Sequence, residues 1–336
     1  MRHEYIENNF WQKGVPMSDI SKFTLYTPVA DPDFQRSPFH LTIEQVRFFD
    51  ENGYLILRGW IQGSLLTRLQ EAASAWIQQG LDQQIREDFP TNQDFVFRET
   101  HGKQVMFRVD YLHNKGYSAS LELLGSPQVL AIAESLCGVN FVPTYEAMVF
   151  KNEGDGAAIR WHQDAVHPRR WRIFNLDLYL DASHQGAGAL YVVPGTQTHS
   201  QPFCNIEQTY GWDVPQAIQV EMEPGDILLH DVMVAHGSPE THGNPLRRTI
   251  YYEFRAAEEI LAEGPWDRSW IDRRLSLLPL ALRSYQRAFP GAVSFDWNID
   301  PAFHPDVSDL DAVQLKVAHL QHTPGEYCSA GSVSAT

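Results

Sequence analysis

RIFNLDLYLD, residues 172–181, alternates with a period of two. Phe174, Leu176, Leu178 and Leu180 fall on one side, and Asn175, Asp177, Tyr179 and Asp181 on the other. Successive side chains of a strand point to opposite faces, so this stretch predicts a strand with one apolar and one polar face. Runs of the same kind lie on both sides of it. TYEAMVFK (144–151) and AAIRWHQD (157–164) precede it, separated by the turn NEGDG. ALYVVPG (189–195), AIQVEM (217–222), ILLHD (227–231) and RRTIYYEF (247–254) follow. Pro-Gly pairs at 194–195 and 224–225 mark turns. Many short strands at this spacing predict an all-β sandwich or barrel.

Helical signals flank this series. Thr42 and Gln45 form the T-x-x-Q of a capping box, opening a helix that runs to Gly53. YLILRGW (54–60) reads as a short buried strand. Leu65, Leu66, Leu69, Ala72, Ala73, Trp76 and Ile77 make one apolar stripe, on a helix that Ser64 caps and Gly80 ends. Ser126-Pro127 opens another helix, which stops before Gly138. Further helices are expected around 267–287. Residues 1–38 read as irregular, broken by four prolines, and the last dozen residues as a frayed tail. No composition shift marks a linker. The organisation expected is a single catalytic domain over 1–336. Within it, 1–140 is an irregular N-terminus with helices packing on the core, 141–255 is the core, and 256–336 is a helical extension and tail.

Of the 336 residues, 43% are apolar, enough for one large core. The formal net charge of −16 would repel phosphate backbones, so nucleic acid is not an expected partner. Cys137, Cys204 and Cys328 form no C-x-x-C pair, and their spacing suggests neither a disulfide framework nor a zinc site. The N-terminus lacks the apolar run of a signal peptide, and no window approaches a membrane span. A soluble, cytoplasmic protein is the expectation, acting on a small molecule and without a membrane partner.

Two H-x-D motifs are present: His162-Gln163-Asp164 and His304-Pro305-Asp306. On a strand, residues i and i+2 share a face, so His162 and Asp164 can offer an imidazole nitrogen and a carboxylate oxygen to one ion. With a second histidine they would make a 2-His-1-carboxylate site, which leaves coordination positions open. A closed four-ligand zinc site would not. The second motif is read as surface, because Pro301 and Pro305 suit no sheet interior. Candidates for the third ligand are His230, His236 and His242. Arg247, 11 residues after His236, stands where it can meet a carboxylate bidentately, or it is simply an exposed charge at a strand start.

W-H-Q-D (161–164), G-A-L-Y-V-V-P-G (188–195), P-G-D (224–226), H-G-S (236–238) and R-R-T (247–249) occur in this order. Together they resemble the phytanoyl-CoA dioxygenase family of Fe(II)/2-oxoglutarate oxygenases. The likeness spans about 144–255, with a weaker match at FFDENGYLILRGW (48–60). It implies a mainly β chain with helical additions around a double-stranded β-helix, a jelly-roll of cupin type. It implies Fe(II), 2-oxoglutarate and O2 as cofactor and cosubstrates, with ascorbate as a reductant in vitro. His162, Asp164 and His236 would then be the catalytic iron ligands, and Arg247 and Ser238 would hold the distal carboxylate of 2-oxoglutarate. Arg248 is the alternative to Arg247, and adjacent strand residues cannot both serve. Related halogenases carry a small residue where Asp164 stands, so hydroxylation is expected rather than halogenation. One departure is visible: the family's P-G-S-H is here Pro194-Gly195-Thr196-Gln197, with His199 beyond.

Substrate contacts are less legible. Arg169, Arg170 and Arg172 could hold an anion or belong to a solvated loop. Trp171 and Trp212 could line a pocket or pack in a core. His167 could support the metal site, and the long connection 199–216 could be a lid. Desaturation, epoxidation or ring formation would use the same cofactors. A cupin-like metal protein without 2-oxoglutarate, or without catalysis, is the rival of another class.

Overall fold

The computed structural model describes residues 37–85, 94–100, 102–151, 157–166, 170–241 and 246–305. The turn NEGDG, His167, Arg169, His242, Asp306, Cys328 and the terminal segments lie outside these residues. The chain begins with helix α1 (Ile43–Asn52), strand β1 (Tyr54–Leu57) and helix α2 (Gly63–Ile85). The Thr42–Gln45 capping box closes as expected, with both reciprocal bonds present. Strands β2 (Phe95–Thr100) and β3 (Lys103–Asp110) and helices α3 (Ala119–Leu124) and α4 (Pro127–Cys137) follow. Next come β4 (Phe141–Lys151), β5 (Ile159–His162), β6 (Phe174–Tyr179), β7 (Leu190–Val193) and helix α5 (Phe203–Tyr210). The chain continues through β8 (Ile218–Val220), β9 (Ile227–Asp231), β10 (Ala235–Ser238) and β11 (Arg247–Ala256). Helices α6 (Ala257–Glu263), α7 (Arg268–Leu275) and α8 (Leu277–Ala288) follow, and a short 3-10 turn over Pro301–Phe303 ends the described elements.

The strands form two antiparallel sheets, a large one in the order β1-β9-β6-β11-β4-β3-β2 and a small one in the order β5-β10-β7-β8. Alternation along β6 explains the layering. Phe174, Leu176, Leu178 and Leu180 join the main core under the helices, while Tyr179 packs with Leu190, Val192, Val220 and Leu228 between the sheets. The inner face of the large sheet is polar. Its register sets Asn175 opposite both His230 and Glu253, and Tyr179 opposite Thr249. At one end of the small sheet's partner strands, P-G-D makes the turn into β9. Gly225 has φ +91°, and a Cβ there would lie 2.1 Å from the Ile61 carbonyl oxygen. The Asp226 carboxylate accepts from the Gly59 and Glu223 amides and from Arg58. The motif thus braces the turn against the chain after β1.

Three readings of the sequence need correction. Besides the expected β1, the first 140 residues contribute strands β2 and β3, and all three belong to the large sheet. Gly80 does not end α2, which continues to Ile85. A Cβ on Gly80 would lie 2.3 Å from Met106 Sδ and 2.6 Å from Phe95 Cδ1, so glycine there lets β2 and β3 pack on the helix. Cys204 is disulfide-bonded, whereas Cys137 is a buried free thiol. No described helix is long and apolar enough to cross a membrane.

Gly80→Ala tests the packing account. Alanine gains about 1 kcal/mol of helix propensity, but overpacking costs typically 1–3 kcal/mol. Phe95 is a rigid ring, so a net loss of about 1 kcal/mol is expected in urea unfolding. A stabilised Gly80→Ala protein would refute the close approach.

Candidate metal centre

Strand β10 pairs antiparallel with β5 so that His236 lies directly opposite His162. The two imidazoles face each other with ring centroids 4.2 Å apart. Gly237 permits this closeness. A Cβ there would come within 3.0 Å of Trp212 and 3.1 Å of the Ile159 carbonyl oxygen. Trp161, one residue from His162, points the other way and packs on Trp212.

Asp164 reaches the histidines by a route the sequence did not show. Strand β5 ends at His162, and Asp164 sits on a bend whose amide donates to the Val232 carbonyl at 2.8 Å. Gln163 secures the bend. Its buried side-chain amide donates to the Met233 and His199 carbonyls, and its oxygen accepts from the Gln201 amide. One nitrogen or oxygen from each of His162, Asp164 and His236 lies within 4.8 Å of the others, so the three could hold one metal ion.

The protonation pattern suits a cation. His162 Nδ1 donates to the Arg160 carbonyl at 2.7 Å, and His236 Nδ1 donates to the Val234 carbonyl at 2.9 Å. A carbonyl can only accept, so each Nδ1 carries the proton and each Nε2 keeps its lone pair. Those Nε2 atoms stand 3.4 and 3.7 Å from Asp164 Oδ1. Burial lowers the His236 pKa to about 3, helped by the charges of His162 and His230 and opposed by Asp164. Its imidazole is therefore neutral near pH 7, the form that binds metals. Burial pushes the Asp164 carboxyl up, but the neighbouring imidazoles, His236 first, hold it well below the usual carboxylate range.

His230 is not part of this triad. It lies one rung away, with Nδ1 2.8 Å from Asp177 Oδ2 and Nε2 3.1 Å from Asp164 Oδ2. Burial alone would lower its pKa, yet Asp177 and Asp164 together raise it to about 10. Asn175 Nδ2 donates to the same Asp164 oxygen at 2.8 Å.

Farther along β11, Arg247 is buried, 1% exposed. Its Nη1 donates to the Gly188 carbonyl and lies 3.5 Å from Ser238 Oγ, while its Nε meets no acceptor among the described residues. Ser238 Oγ donates to the same Gly188 carbonyl at 2.6 Å and accepts from Lys151 Nζ at 2.8 Å. Tyr179 Oη and Thr249 Oγ1, both fully buried, also lack a partner among the described residues. They are cross-strand neighbours on the face that carries Arg247. A buried guanidinium with unpartnered hydroxyls beside it is an arrangement that a small carboxylate would complete. Arg248 is committed elsewhere, holding Asp181 bidentately at 2.8 Å for both bonds and donating to Gln70 and Ser74. The sequence missed Lys151, Tyr179 and Thr249. Thr249 and Tyr179 were within reach of the two-residue period, since each lies two positions from a residue already singled out.

Other candidates disperse. Arg172 is spent on Asp50 in a bidentate pair, Arg170 is exposed beside Glu263, and Trp171 is in the main core. Trp212 and helix α5 cover the outside of the small sheet through an apolar cluster with Trp161, so this part of 199–216 is packed down. Thr196 and Gln197 brace the scaffold through Ala235 and Asp50, and His199 is exposed. His304 is exposed and stacks on Trp297.

Comparison with known proteins agrees with this geometry. Residues 49–249 match the family model described as Phytanoyl-CoA dioxygenase (PhyH). A probable alpha-ketoglutarate-dependent hypophosphite dioxygenase of Stutzerimonas stutzeri is 24% identical over 184 residues, which are 50% of this chain and 64% of that protein. The solved structure of EvdMO1 superposes with TM-score 0.54 at 26% identity, covering 64% of this chain and 50% of its own. The chain thus spans less than two thirds of the length of these first two relatives. EctD from S. alaskensis, solved with 2-oxoglutarate and 5-hydroxyectoine, superposes with TM-score 0.55 at 17% identity over 70% of this chain and 82% of its own, which speaks to the cupin-like fold. The chain belongs to the phytanoyl-CoA dioxygenase family, whose members are non-haem iron, 2-oxoglutarate-dependent oxygenases.

Proposed function

We propose that this chain oxidises an unactivated C–H bond of a small-molecule metabolite, releasing succinate and CO2 from 2-oxoglutarate, with His162, Asp164 and His236 as the iron ligands. The observation that carries the reading is the buried guanidinium of Arg247 on the inner face of the large sheet, whose Nε meets no acceptor among the described residues. A buried cation with an unmet donor is costly, and a dicarboxylate cosubstrate supplies an acceptor for it. Bound iron supplies the activation of O2 that protein side chains lack.

The protein's own residues have separate tasks. The two Nδ1–carbonyl bonds fix the rings of His162 and His236 so that each Nε2 faces Asp164 Oδ1. Arg247 and Ser238 hold the distal carboxylate of 2-oxoglutarate, with Lys151, Tyr179 and Thr249 beside them. The apolar layer of Leu190, Val192, Val220 and Leu228 keeps water from that end. Toward the opposite end of β11, the inner face carries Glu253 and Tyr145, already hydrogen-bonded to Thr144 and Asp110. That polar lining suits a polar metabolite better than a long acyl chain.

A screen with Fe(II), ascorbate and 2-oxoglutarate, reading succinate formation against O2 uptake and product mass, tests the reading. Succinate-free turnover would favour a cupin-like activity of another class. Arg247→Ala should weaken 2-oxoglutarate binding by about 2–5 kcal/mol, the usual cost of unpairing a buried charge. Arg248→Ala should leave that affinity within about threefold, under 1 kcal/mol, and lower thermal stability instead, because Asp181 loses its partner. Calorimetric titration of both variants decides between the two arginines. Asp164→Ala should abolish oxidation, and full turnover by that variant would rule out the triad.

A further inference from the structure

The two oxygens of Asp164 live in different surroundings. Oδ1 faces the histidine pair, 3.4 Å from His162 Nε2 and 3.7 Å from His236 Nε2. Oδ2 faces away, toward Asn175 Nδ2 at 2.8 Å and His230 Nε2 at 3.1 Å. His230 is itself fixed, since its Nδ1 lies 2.8 Å from Asp177 Oδ2 and the ring is 1% exposed. The sheet register builds this arrangement. Asn175 and His230 are direct cross-strand partners on β6 and β9, and Asp177 is the next inward residue of β6. Asn175 and the Asp177–His230 pair are close-packed, so the outer oxygen has two fixed donors and little freedom to turn.

A carboxylate can bind a metal through one oxygen or two. Two histidines and one carboxylate oxygen leave three of six positions for other ligands. A chelating cosubstrate needs two of them, and a diatomic molecule needs the third. An aspartate bound through both oxygens would take that third position. We propose that Asn175 and the Asp177–His230 pair are positioning residues that hold Asp164 Oδ2 out of coordination, so that the carboxylate gives one oxygen and a position beside the metal stays open. This rests on the iron and 2-oxoglutarate reading above, and concerns residues to which that reading gives no task.

The test uses nitric oxide, a stable stand-in for O2, on the full-length protein without turnover. Three proteins are compared: wild type, Asn175→Leu, which is nearly isosteric and lacks the donor, and the double variant Asp177→Asn, His230→Gln, which leaves no unpaired buried charge. Fe(II) and 2-oxoglutarate affinities are read by anaerobic titration, and the nitrosyl complex by its electron paramagnetic resonance signal. Loss of an outer hydrogen-bond partner usually costs 10–100-fold in metal affinity or activity. Here Fe(II) and 2-oxoglutarate affinities should stay within about threefold of wild type in at least one variant, while its nitrosyl signal falls about tenfold or more. An undiminished nitrosyl signal in both variants overturns the proposal. So does loss of Fe(II) binding in both, which would mean that the pair presents Asp164 rather than restricting it. Wild-type protein that binds neither Fe(II) nor 2-oxoglutarate would instead sink the functional reading on which the proposal stands.

Discussion

His162 and His236 meet because two short strands run antiparallel in one register. Directly opposed side chains in such a pair are the nearest neighbours a sheet offers. A slip of one residue would turn either imidazole to the outer face of the small sheet, where Trp161 and Trp212 now pack. The surroundings act against that slip from several directions. Gly237 lets β5 and Trp212 approach without a clash. The outer face is apolar around Trp161 and Val193, so a buried imidazole would fit poorly there. Val232 and Gln163 then fix the bend that carries Asp164 into place. The position of Asp164, the third candidate ligand, therefore follows from the register that places the two histidines.

The inner face of the large sheet carries a cost that the fold meets in two different ways. Around Asp164 the polar groups largely satisfy one another, with Asp177 Oδ1 as the exception among the described residues. Asn175, His230 and Asp177 form a chain in which an imidazole stands between two carboxylates. Around Arg247 they do not. Its Nε, Tyr179 Oη and Thr249 Oγ1 are buried without partners among the described residues. Buried polar groups are paired in the great majority of cases, so such a cluster calls for an explanation. Leaving groups of this kind unpaired costs stability in the empty protein, and a bound ligand returns it. The outer face makes the same point by contrast, since Arg248 is satisfied fully by Asp181, Gln70 and Ser74.

Much of this was legible in the sequence, and for identifiable reasons. The two-residue period of 172–181 separated the helix-facing side of β6 from the site-facing side, and the structure keeps that separation. Local capping signals placed the start of α1 and both ends of α4. What failed was whatever depended on distant partners. VAHGSP was not among the strands read from the sequence, yet β10 forms there through pairing with β5 and β7. Gly80 reads as a helix stop because its reason for being glycine, Met106, lies 26 positions away. The β2–β3 hairpin went unseen because its exposed, charged residues carry no clean apolar alternation. His162 and Asp164 were placed together on a strand, and the structure does bring the two together although the strand ends between them.

Arg247 against Arg248 shows where sequence reasoning stops. The two differ by one position, and either can pair with a carboxylate. Only the parity of β11 relative to the barrel decides, and parity depends on which face the helices cover. Ile250, Tyr252 and Phe254 lie under the helices, so even-numbered residues of this strand face outward and Arg247 faces in. Burial then sets the strength of the anchor. Arg247, Ser238, Tyr179 and Thr249 are all within 1% of complete burial, whereas the Asp164 side chain is 30% exposed. Charge interactions gain strength as water is excluded. The proposed anion anchor therefore sits at the dry end of the inner face, and of the three candidate ligands Asp164 is the most exposed. On β11, Arg247 and Glu253 lie toward opposite ends of the inner face, and Glu253 sits directly opposite Asn175, which donates to Asp164 Oδ2.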